Sequence, residues 1–342
     1  MSSVLLTGAN GFVAVNVLQT LLDKGCTVVG TVRSESKTNF LREKFSPFVK
    51  NGTLKFAVVP DITVPGAFDE VLKEHRFDAV VHTSSPFYLT ATDIQTEMLD
   101  PPIKGTTGIL ESVFKLAPTV KRIVITATFA NIQSIPKGDW PGGVYTEEDW
   151  SPVKLDEVSR SHPILGYVAG KLYAEKAAFD FVKEKSPNFS VTTLCPPMVF
   201  GPPEQELTSL NNLNQSNTDI YDVFNGTSEP RYGTWVWVDV RDLARAHVAA
   251  IDSPAAANQR YLLSAGNYSP QAIADYIWEH YPERAAAKGV KKGNPGRLYP
   301  DTGVFSIDNS KSVRDLGIVY NDFNSMMKDT LEKFEKLELQ GK

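Results

Sequence analysis

The first two hundred residues alternate between short apolar runs and longer segments with helical periodicity. The apolar runs are rich in Val, Ile and Thr, as is typical of strands that are covered on both faces. Strands are predicted at 4–8, 27–32, 54–60, 77–85, 122–128 and 189–197, and helices at 17–25, 36–46, 66–75, 101–117 and 164–185. Because strands and helices alternate, the pattern predicts an α/β fold with a doubly wound parallel sheet and right-handed crossovers.

The pattern changes after Pro203, where the chain becomes polar, rich in Asn and only weakly periodic up to residue 233. Apolar runs then return, and the final segment has the periodicity of an amphipathic helix. Two units are predicted: a sheet domain from 1–200 and 235–265, and a smaller cap from 201–234 and 266–342. Within these units, strands are predicted at 234–240 and 259–266, and helices at 241–252 and 324–339.

The composition narrows the class of protein. A chain of 342 residues with 42% hydrophobic side chains can bury a large core. The formal net charge of −5, with no long run of one sign, argues against nucleic acid or an anionic membrane as a partner. The five histidines and two cysteines have no spacing typical of a metal site, so no metal is predicted. No targeting signal or apolar membrane-spanning run is recognisable, which predicts a cytoplasmic protein.

The segment LLTGANGFVA follows the first strand and opens the first helix. In this context Gly8 permits a tight turn, Gly11 lets the backbone approach a pyrophosphate, and Ala14 allows close packing of helix on strand. The phosphate would then lie on the free amides of the helix N-terminus. The segment therefore predicts a dinucleotide site whose contacts are Gly8, Asn10, Gly11, Phe12 and Val13.

The end of the second strand distinguishes the two nicotinamide cofactors. An acidic residue at this position usually binds the ribose 2′-hydroxyl of NAD. Here the strand ends in GTVRSESK, which places Arg33 and Lys37 at the position, with Glu35 between them. Two cations suit a 2′-phosphate. The segment favours NADP(H), although NAD(H) remains possible.

A third motif is GYVAGK, in which Tyr167 precedes Lys171 by four residues. Residues four apart lie on the same face of a helix. A cation held there makes a phenol easier to ionise, which matters only where the phenol gives or takes a proton.

Taken together, the segments TGANGFVA, HTSSPF, VITATFA, YVAGK and CPPMVFGP resemble the extended short-chain dehydrogenase/reductase superfamily. Within it, the chain is most similar to the fungal methylglyoxal/isovaleraldehyde-reductase-like carbonyl reductases, which are related to plant dihydroflavonol and cinnamoyl-CoA reductases. The resemblance covers nearly the whole chain. It implies a Rossmann-type dinucleotide-binding domain with a smaller C-terminal substrate-binding cap, acting as a carbonyl reductase or alcohol dehydrogenase.

The resemblance also implies catalytic roles. Tyr167 would protonate the carbonyl oxygen as hydride arrives, and Lys171 would lower the pKa of Tyr167 and hold the nicotinamide ribose. Thr128 stands where the family usually has a serine that orients the carbonyl. Strand alternation places Thr126 on the same face as Thr128, which makes Thr126 the second candidate. His82 is expected to be a packed strand residue, and Lys104, where relatives tend to carry Asn, is given no role.

Further contacts follow from the same resemblance. An apolar pocket suits hydrophobic ketones or aldehydes better than nucleotide sugars. Phe87, Phe129 and Met198 are the predicted substrate contacts. The cofactor contacts predicted outside the glycine turn and the cationic loop are Asp61, Ile62, Thr83, Ser84, Ser85, Thr126, Tyr167, Lys171, Pro196 and Val199.

Three alternatives remain open. A dihydroflavonol- or cinnamoyl-CoA-type reductase would share the catalytic set, but the segment usual in cinnamoyl-CoA reductases is replaced here by PILGYVAGK. A sugar-nucleotide epimerase would need cations in the cap, where 204–223 is poor in them. A cofactor-sensing regulator would not need the Tyr167–Lys171 pair. The protein is expected to be a monomer or a homodimer.

Overall fold

The predicted apolar runs of the first two hundred residues all form strands. The computed structural model describes residues 2–85, 93–158, 163–229 and 235–342. The strands are β1 (Ser3–Thr7), β2 (Thr27–Val32), β3 (Leu54–Val58), β4 (Ala79–His82), β5 (Arg122–Thr126), β6 (Val144–Tyr145), β7 (Ser190–Cys195), β8 (Met198–Phe200), β9 (Val236–Asp239), β10 (Gln259–Leu262), β11 (Gly266–Asn267) and β12 (Ser306–Ile307).

The described helices include one in each of the five segments predicted within the first two hundred residues, with the second segment divided into short pieces. They are α1 (Phe12–Asp23), α2 (Asn39–Lys44), α3 (Ser46–Lys50), α4 (Asp69–Glu74), α5 (Asp100–Leu116), α6 (Pro163–Lys185), α7 (Gln215–Phe224), α8 (Val240–Asp252), α9 (Pro270–His280), α10 (Pro282–Lys288), α11 (Ser310–Leu316) and α12 (Phe323–Leu339). A π-helical turn, Gln95–Leu99, leads into α5. Short 3-10 helices lie at Glu35–Thr38, Phe129–Asn131, Ile135–Lys137, Leu155–Glu157, Leu210–Asn212 and Pro254–Ala256.

Seven parallel strands form the central sheet, in the order β10-β7-β5-β4-β1-β2-β3. The strand order reverses between β1 and β4, which pair side by side from Val4–Ala79 to Thr7–His82. In open sheets of this kind, ligands bind outside the carboxyl ends of the strands at such a reversal. The predicted doubly wound, Rossmann-type sheet is confirmed, and its switch point lies where the glycine turn begins.

Helices cover both faces of this sheet because successive strand residues point to opposite sides. Val4 and Leu6 of β1 are fully buried in the core that contains α1 and α8. Leu5, between them, is fully buried in the opposite core, which contains residues of α4, α5 and α6. The uniformly apolar strands of the sequence therefore reflect burial on both faces. None of the described helices combines the length and the apolar surface needed to cross a bilayer.

A second, three-stranded sheet joins the cap to the central domain. In it β9 lies between β8 and β11, parallel to β8 and antiparallel to β11. The predicted division of the chain assigns β8 and β9 to the sheet domain and β11 to the cap, so the predicted boundary at residue 265 passes between two paired strands of this sheet. Local periodicity identifies strands but does not show with which sheet they pair. The cap core is built around this sheet from α7, α9 and α12.

Candidate functional site

The carboxyl ends of β1 and β4 are fastened together by Thr7. Its hydroxyl oxygen accepts hydrogen bonds from the backbone N–H groups of Thr83 and Ser84, both at 3.2 Å. The Thr83 hydroxyl donates to the carbonyl of Thr7. Thr7 Oγ1 also lies 2.9 Å from Nδ1 of His82. Burial and the charge of Lys171 lower the pKa of His82 to about 3, so this ring is neutral and packed, as expected, and it is no catalytic base.

The glycine turn directly follows Thr7. Gly8 has a φ of 69°, and a Cβ there would lie 2.7 Å from Ser84 Oγ, so only glycine fits. Gly11 N–H donates to the Gly8 carbonyl at 3.0 Å, which closes the turn. Gly11 also caps α1 and supplies no side-chain hydrogen bond to it. The first amides of α1 are therefore available to an anion, as the predicted phosphate contact requires.

Ser85 gives a second indication that a polar ligand belongs here. Its hydroxyl oxygen is buried and has no hydrogen-bond partner in the part of the chain that the structure describes. Buried polar groups are nearly always paired, so an orphaned hydroxyl beside the switch point calls for a ligand group. A dinucleotide, predicted to pass over Thr83, Ser84 and Ser85, fits these residues.

The end of β2 presents exposed cations. Arg33 and Lys37 are both exposed, and Lys37 Nζ is 4.0 Å from a carboxylate oxygen of Glu206 in the cap segment. Glu35, the acidic residue between them, is engaged with Arg42 Nη2 at 3.1 Å. The acidic residue that could bind a free ribose hydroxyl is therefore already paired with a cation.

Two predicted cofactor contacts, Asp61 and Ile62, which by the family resemblance would touch the adenine, lie next to these cations. Hydrogen bonds from Thr63 hold the pKa of the Asp61 carboxyl below its usual range, and the charge of Arg33 adds to this effect. Ile62 packs onto α5, where a Cβ on Gly105 would lie 2.8 Å from Ile62 Cδ1. The apolar side chain of Ile62 therefore lies beside the ionised carboxylate of Asp61 after the end of β3, which suits a binding surface for the adenine base.

Three predicted catalytic residues come together at the carboxyl end of β5. Tyr167 and Lys171 lie one turn apart on α6, and the Tyr167 hydroxyl is hydrogen-bonded to the side chain of Thr128. Lys171 Nζ donates to the backbone carbonyl of Thr126 at 3.0 Å. The helical spacing in the sequence thus brings the phenol, the ammonium and the threonine hydroxyl to one place.

The electrostatics of this group differ from the expectation. Burial raises the pKa of Tyr167, and the hydrogen bond from Thr128 offsets the rise only in part. Burial also lowers the pKa of Lys171 to about 8, although the negative charge of Glu175 acts to raise it. The lowering of the Tyr167 pKa by Lys171 is therefore not seen in the chain alone, because both groups are removed from water and the ammonium is bound to a carbonyl.

Thr126 does not share the surroundings of Thr128. Its hydroxyl lies 2.7 Å from Nε2 of His247 on α8, across the sheet from α6. The expectation that both threonines face the same way is wrong because β5 ends at Thr126. Thr128 already caps the following 3-10 helix, accepting a hydrogen bond from Ala130 N–H at 3.2 Å. Side chains alternate strictly only within a strand.

Two other predicted contacts are bonded within the protein. The carbonyl of Pro196 accepts the Phe129 N–H at 2.8 Å, and that of Val199 accepts the Ser216 hydroxyl at 2.5 Å. Lys104, which was given no role, forms an exposed ion pair with Asp100 at 2.7 Å.

The predicted substrate residues have three different outcomes. Phe129 is only 1% exposed and packs between Tyr145 and Phe305, so its side chain belongs to an aromatic core and does not line a pocket. Met198 is half-buried against the cap core. Phe87 lies outside the described residues.

The structure contains a buried polar network next to Lys171 that was not predicted from the sequence. Glu175, one turn further along α6, binds Asn131 and Arg260. The available signal was the spacing: a carboxylate four residues after a helical lysine lies on the same buried face. Asn131 and Arg260 have no such local signature.

A parallel sheet of this strand order, with a glycine turn at its switch point and a Tyr–Lys pair beside the fifth strand, defines a dinucleotide-dependent oxidoreductase. The sequence pattern of the NAD dependent epimerase/dehydratase family matches residues 4–264, and the chain belongs to this family. The resemblance inferred from the motifs is thereby confirmed.

The similarities to individual proteins extend along the whole chain. A ketoreductase, azaE, from Aspergillus niger is 40% identical over 336 residues, which cover 96% of each chain. The NADPH-dependent methylglyoxal reductase GRE2 of Saccharomyces cerevisiae is 32% identical over 343 residues, covering 98% of this chain and 99% of that protein. The crystal structure of Gre2 from Candida albicans in complex with NADPH superposes with a TM-score of 0.90 at 32% identity, covering 98% of this chain and 99% of that one.

Proposed function

We propose that this protein is an NADPH-dependent carbonyl reductase that transfers hydride reversibly between NADP(H) and hydrophobic ketones or aldehydes. The observation that carries the proposal is the placement of Tyr167 and Lys171 one turn apart on α6 beside Thr128, with Lys171 Nζ 3.0 Å from the carbonyl of Thr126. This is a proton donor and an orienting hydroxyl placed side by side at the switch-point edge of the sheet. The names of the relatives, a ketoreductase and NADPH-dependent reductases, support the same reaction.

The cofactor would lie across the switch point. The α1 amides after Gly11 would hold its pyrophosphate, and Arg33 and Lys37 would bind the 2′-phosphate. Asp61 and Ile62 would border the adenine. The contacts on the nicotinamide side would be Thr83, Ser84, Ser85, Thr126, Lys171, Pro196 and Val199.

Each of the three catalytic residues has its own role in the proposed reaction. Thr128 orients the carbonyl oxygen of the substrate, and Tyr167 delivers a proton to that oxygen as general acid. Lys171 stabilises negative charge on the phenol and would hold the nicotinamide ribose. When bound, NADPH supplies the hydride, and its oxidised ring adds a positive charge beside the phenol. Because the chain alone leaves the pKa of Tyr167 raised, this second cation contributes to ionising Tyr167 in the reverse reaction.

A sugar-nucleotide reaction is less favoured. Residues 204–230 of the cap contain no Lys or Arg, so this segment offers no cation to a diphosphate. The structural similarity to MoeE5 in complex with UDP-glucose and NAD is at 18% identity and shows the fold alone. A hydrophobic carbonyl compound suits the cap better.

The direct test is turnover by the purified protein. We expect loss of reduced-nicotinamide absorbance when NADPH is mixed with members of a panel of aryl ketones, α-keto esters and short aldehydes. NADPH should give faster turnover than NADH, and chiral chromatography should show one alcohol enantiomer in excess. If no carbonyl compound is reduced with either cofactor, the proposal is wrong.

Replacing Thr128 by Ala should lower kcat/KM for the best carbonyl substrate by about tenfold to a hundredfold, since an orienting hydrogen bond is lost. Thr128→Ser is the matched control because it keeps the hydroxyl and removes only a methyl group. Its rate should stay within a few-fold of wild type. Equal rates in all three proteins would remove Thr128 from the mechanism.

We also propose that the enzyme is cytoplasmic and is either a monomer or a homodimer. Both cysteines, Cys26 and Cys195, are buried and unpaired, as is usual in a reducing compartment. Burial raises the pKa of the Cys195 thiol, so it is not a ready nucleophile. Cell fractionation and light scattering on the purified protein test the two statements.

A further inference from the structure

Glu175 is a carboxylate in the interior, one helical turn beyond Lys171. Its side chain is 1% exposed, and no step of the proposed reaction uses it. Burying a carboxylate is costly unless it is paired and hydrogen-bonded, so a residue of this kind is retained for a reason. Its position on the catalytic helix suggests that the reason concerns Lys171.

The partners of Glu175 come from three different strands or loops. Asn131 Nδ2 donates to Oε2 at 2.7 Å, and the Thr193 hydroxyl donates to Oε1 at 2.5 Å. Arg260 contacts both oxygens, with Nε 3.0 Å from Oε1 and Nη2 3.3 Å from Oε2. Cys195 Sγ lies 3.5 Å from Oε1. The carboxylate is therefore held in one orientation.

Two of these partners connect Glu175 to the rest of the site and to the surface. Asn131 Nδ2 also donates to the backbone carbonyl of Lys171 at 3.2 Å, so a single amide joins the carboxylate to the turn that bears the lysine. Arg260 is anchored in turn by the carbonyls of Glu147 and Asp149, at 2.6 and 2.9 Å, and its guanidinium lies 3.4 Å from the ring centre of Trp150. These contacts hold the Arg260 guanidinium in place beside Glu175.

Among the residues that the structure describes, few titratable groups act on Lys171 from the elements around it. On its own helix these groups are Tyr167 and Glu175; on β4 the group is His82, and on β7 it is Cys195. Tyr167, His82 and Cys195 are neutral at pH 7, because burial raises the pKa of the phenol and of the thiol and lowers that of the imidazole. Arg260, on β10, is cationic and faces Glu175. Glu175 is therefore the anionic group that counters the desolvation of the Lys171 ammonium.

We propose that Glu175 is a positioning residue for Lys171. It fixes, through Asn131, the turn that carries the lysine, and it supplies the negative charge that keeps the buried ammonium protonated at neutral pH. This inference rests on the proposed function only in the role it gives to Lys171. Its effect on the charge of Lys171 can be measured without cofactor or substrate.

The first test is NMR of cofactor-free protein with ¹³C-labelled lysine. The Lys171 Cε resonance is assigned by its absence in Lys171→Met. In wild type we expect its titration midpoint near pH 8. In Glu175→Gln, which keeps the shape and removes the charge, the midpoint should fall by about one unit or more. Glu184→Gln, the same change at an exposed position of α6, should leave the midpoint unchanged.

The second test is the pH profile of kcat/KM for carbonyl reduction. Wild type should lose activity above about pH 8 as Lys171 loses its proton. Glu175→Gln should lose activity from a lower pH, with a rate about fivefold below wild type at pH 8 and nearly equal rates at pH 6, if the shift is about one unit. A loss of similar size at every pH, with an unchanged Lys171 midpoint, would mean that Glu175 only supports the fold and would overturn the proposal.

Glu175→Gln leaves Arg260 buried without its counter-ion, which can cost several kcal/mol and prevent folding. The double variant Glu175→Gln/Arg260→Met removes both charges and avoids this cost. Its Lys171 midpoint should still lie below that of wild type, and a wild-type midpoint in it would sink the proposal. If wild type itself reduces no carbonyl compound, the proposed function fails, whereas the NMR result for Glu175 still stands or falls separately.

Discussion

Replacing Tyr167 by Phe is expected to lower kcat for carbonyl reduction by about 10³-fold. The substitution removes the hydroxyl that is bound to Thr128 and that would protonate the carbonyl oxygen. The ring remains, so the packing of α6 should change little. Single-turnover kinetics with saturating NADPH would measure the chemical step directly.

A control on the same helix separates this effect from general damage. Tyr173→Phe removes a phenol from a half-buried position that lies beside Lys176. Its kcat should match that of wild type. In Tyr167→Phe, NADPH affinity measured by fluorescence titration should stay within a few-fold of wild type. Retained turnover in Tyr167→Phe would exclude Tyr167 as the proton donor.

The double variant Arg33→Ser/Lys37→Ser should lower kcat/KM for NADPH by about 10³-fold. Each cation lost from a phosphate removes a charge-assisted hydrogen bond of about 1.5–3 kcal/mol. NADH has no 2′-phosphate, so kcat/KM with NADH should stay within a few-fold of wild type. The measurement is the ratio of the two values in the same preparation.

The matched control for this prediction is Lys50→Ser, which removes an exposed cation from α3. It should leave the cofactor ratio unchanged. A double variant that still prefers NADPH as strongly as wild type would show that the cofactor phosphate is bound elsewhere. It would also remove the argument from the charges at the end of β2.

The parts of the site that could be predicted are those encoded by short segments. The glycine turn depends on Gly8 and Gly11, three residues apart, and in the structure Gly8 has a positive φ and the N-terminus of α1 has no side-chain cap. Tyr167 and Lys171 are brought together by helical spacing alone. Thr128 adjoins them because it caps the 3-10 helix Phe129–Asn131, which packs against α6.

The errors lie where a local pattern ends. Thr126 and Thr128 were placed on one face, but the strand stops between them and their hydroxyls bind His247 and Tyr167 respectively. Phe129 was expected in the pocket because it follows Thr128, yet the turn directs it into the core against Tyr145 and Phe305. Adjacency in sequence does not show on which side of a turn a side chain lies.

By itself, the sequence determined the alternation of strands and helices, the cofactor turn and the spacing of the catalytic pair, because each depends on residues within one turn or one strand. Tertiary structure alone decided which strands form the second sheet, and it alone joined Glu175 to Arg260, 85 residues apart. Burial sets the free-energy cost of keeping an ammonium in the interior, and sequence spacing does not show it. The charge on Lys171 therefore depends on the negative charge of Glu175, which the distant Arg260 holds in place.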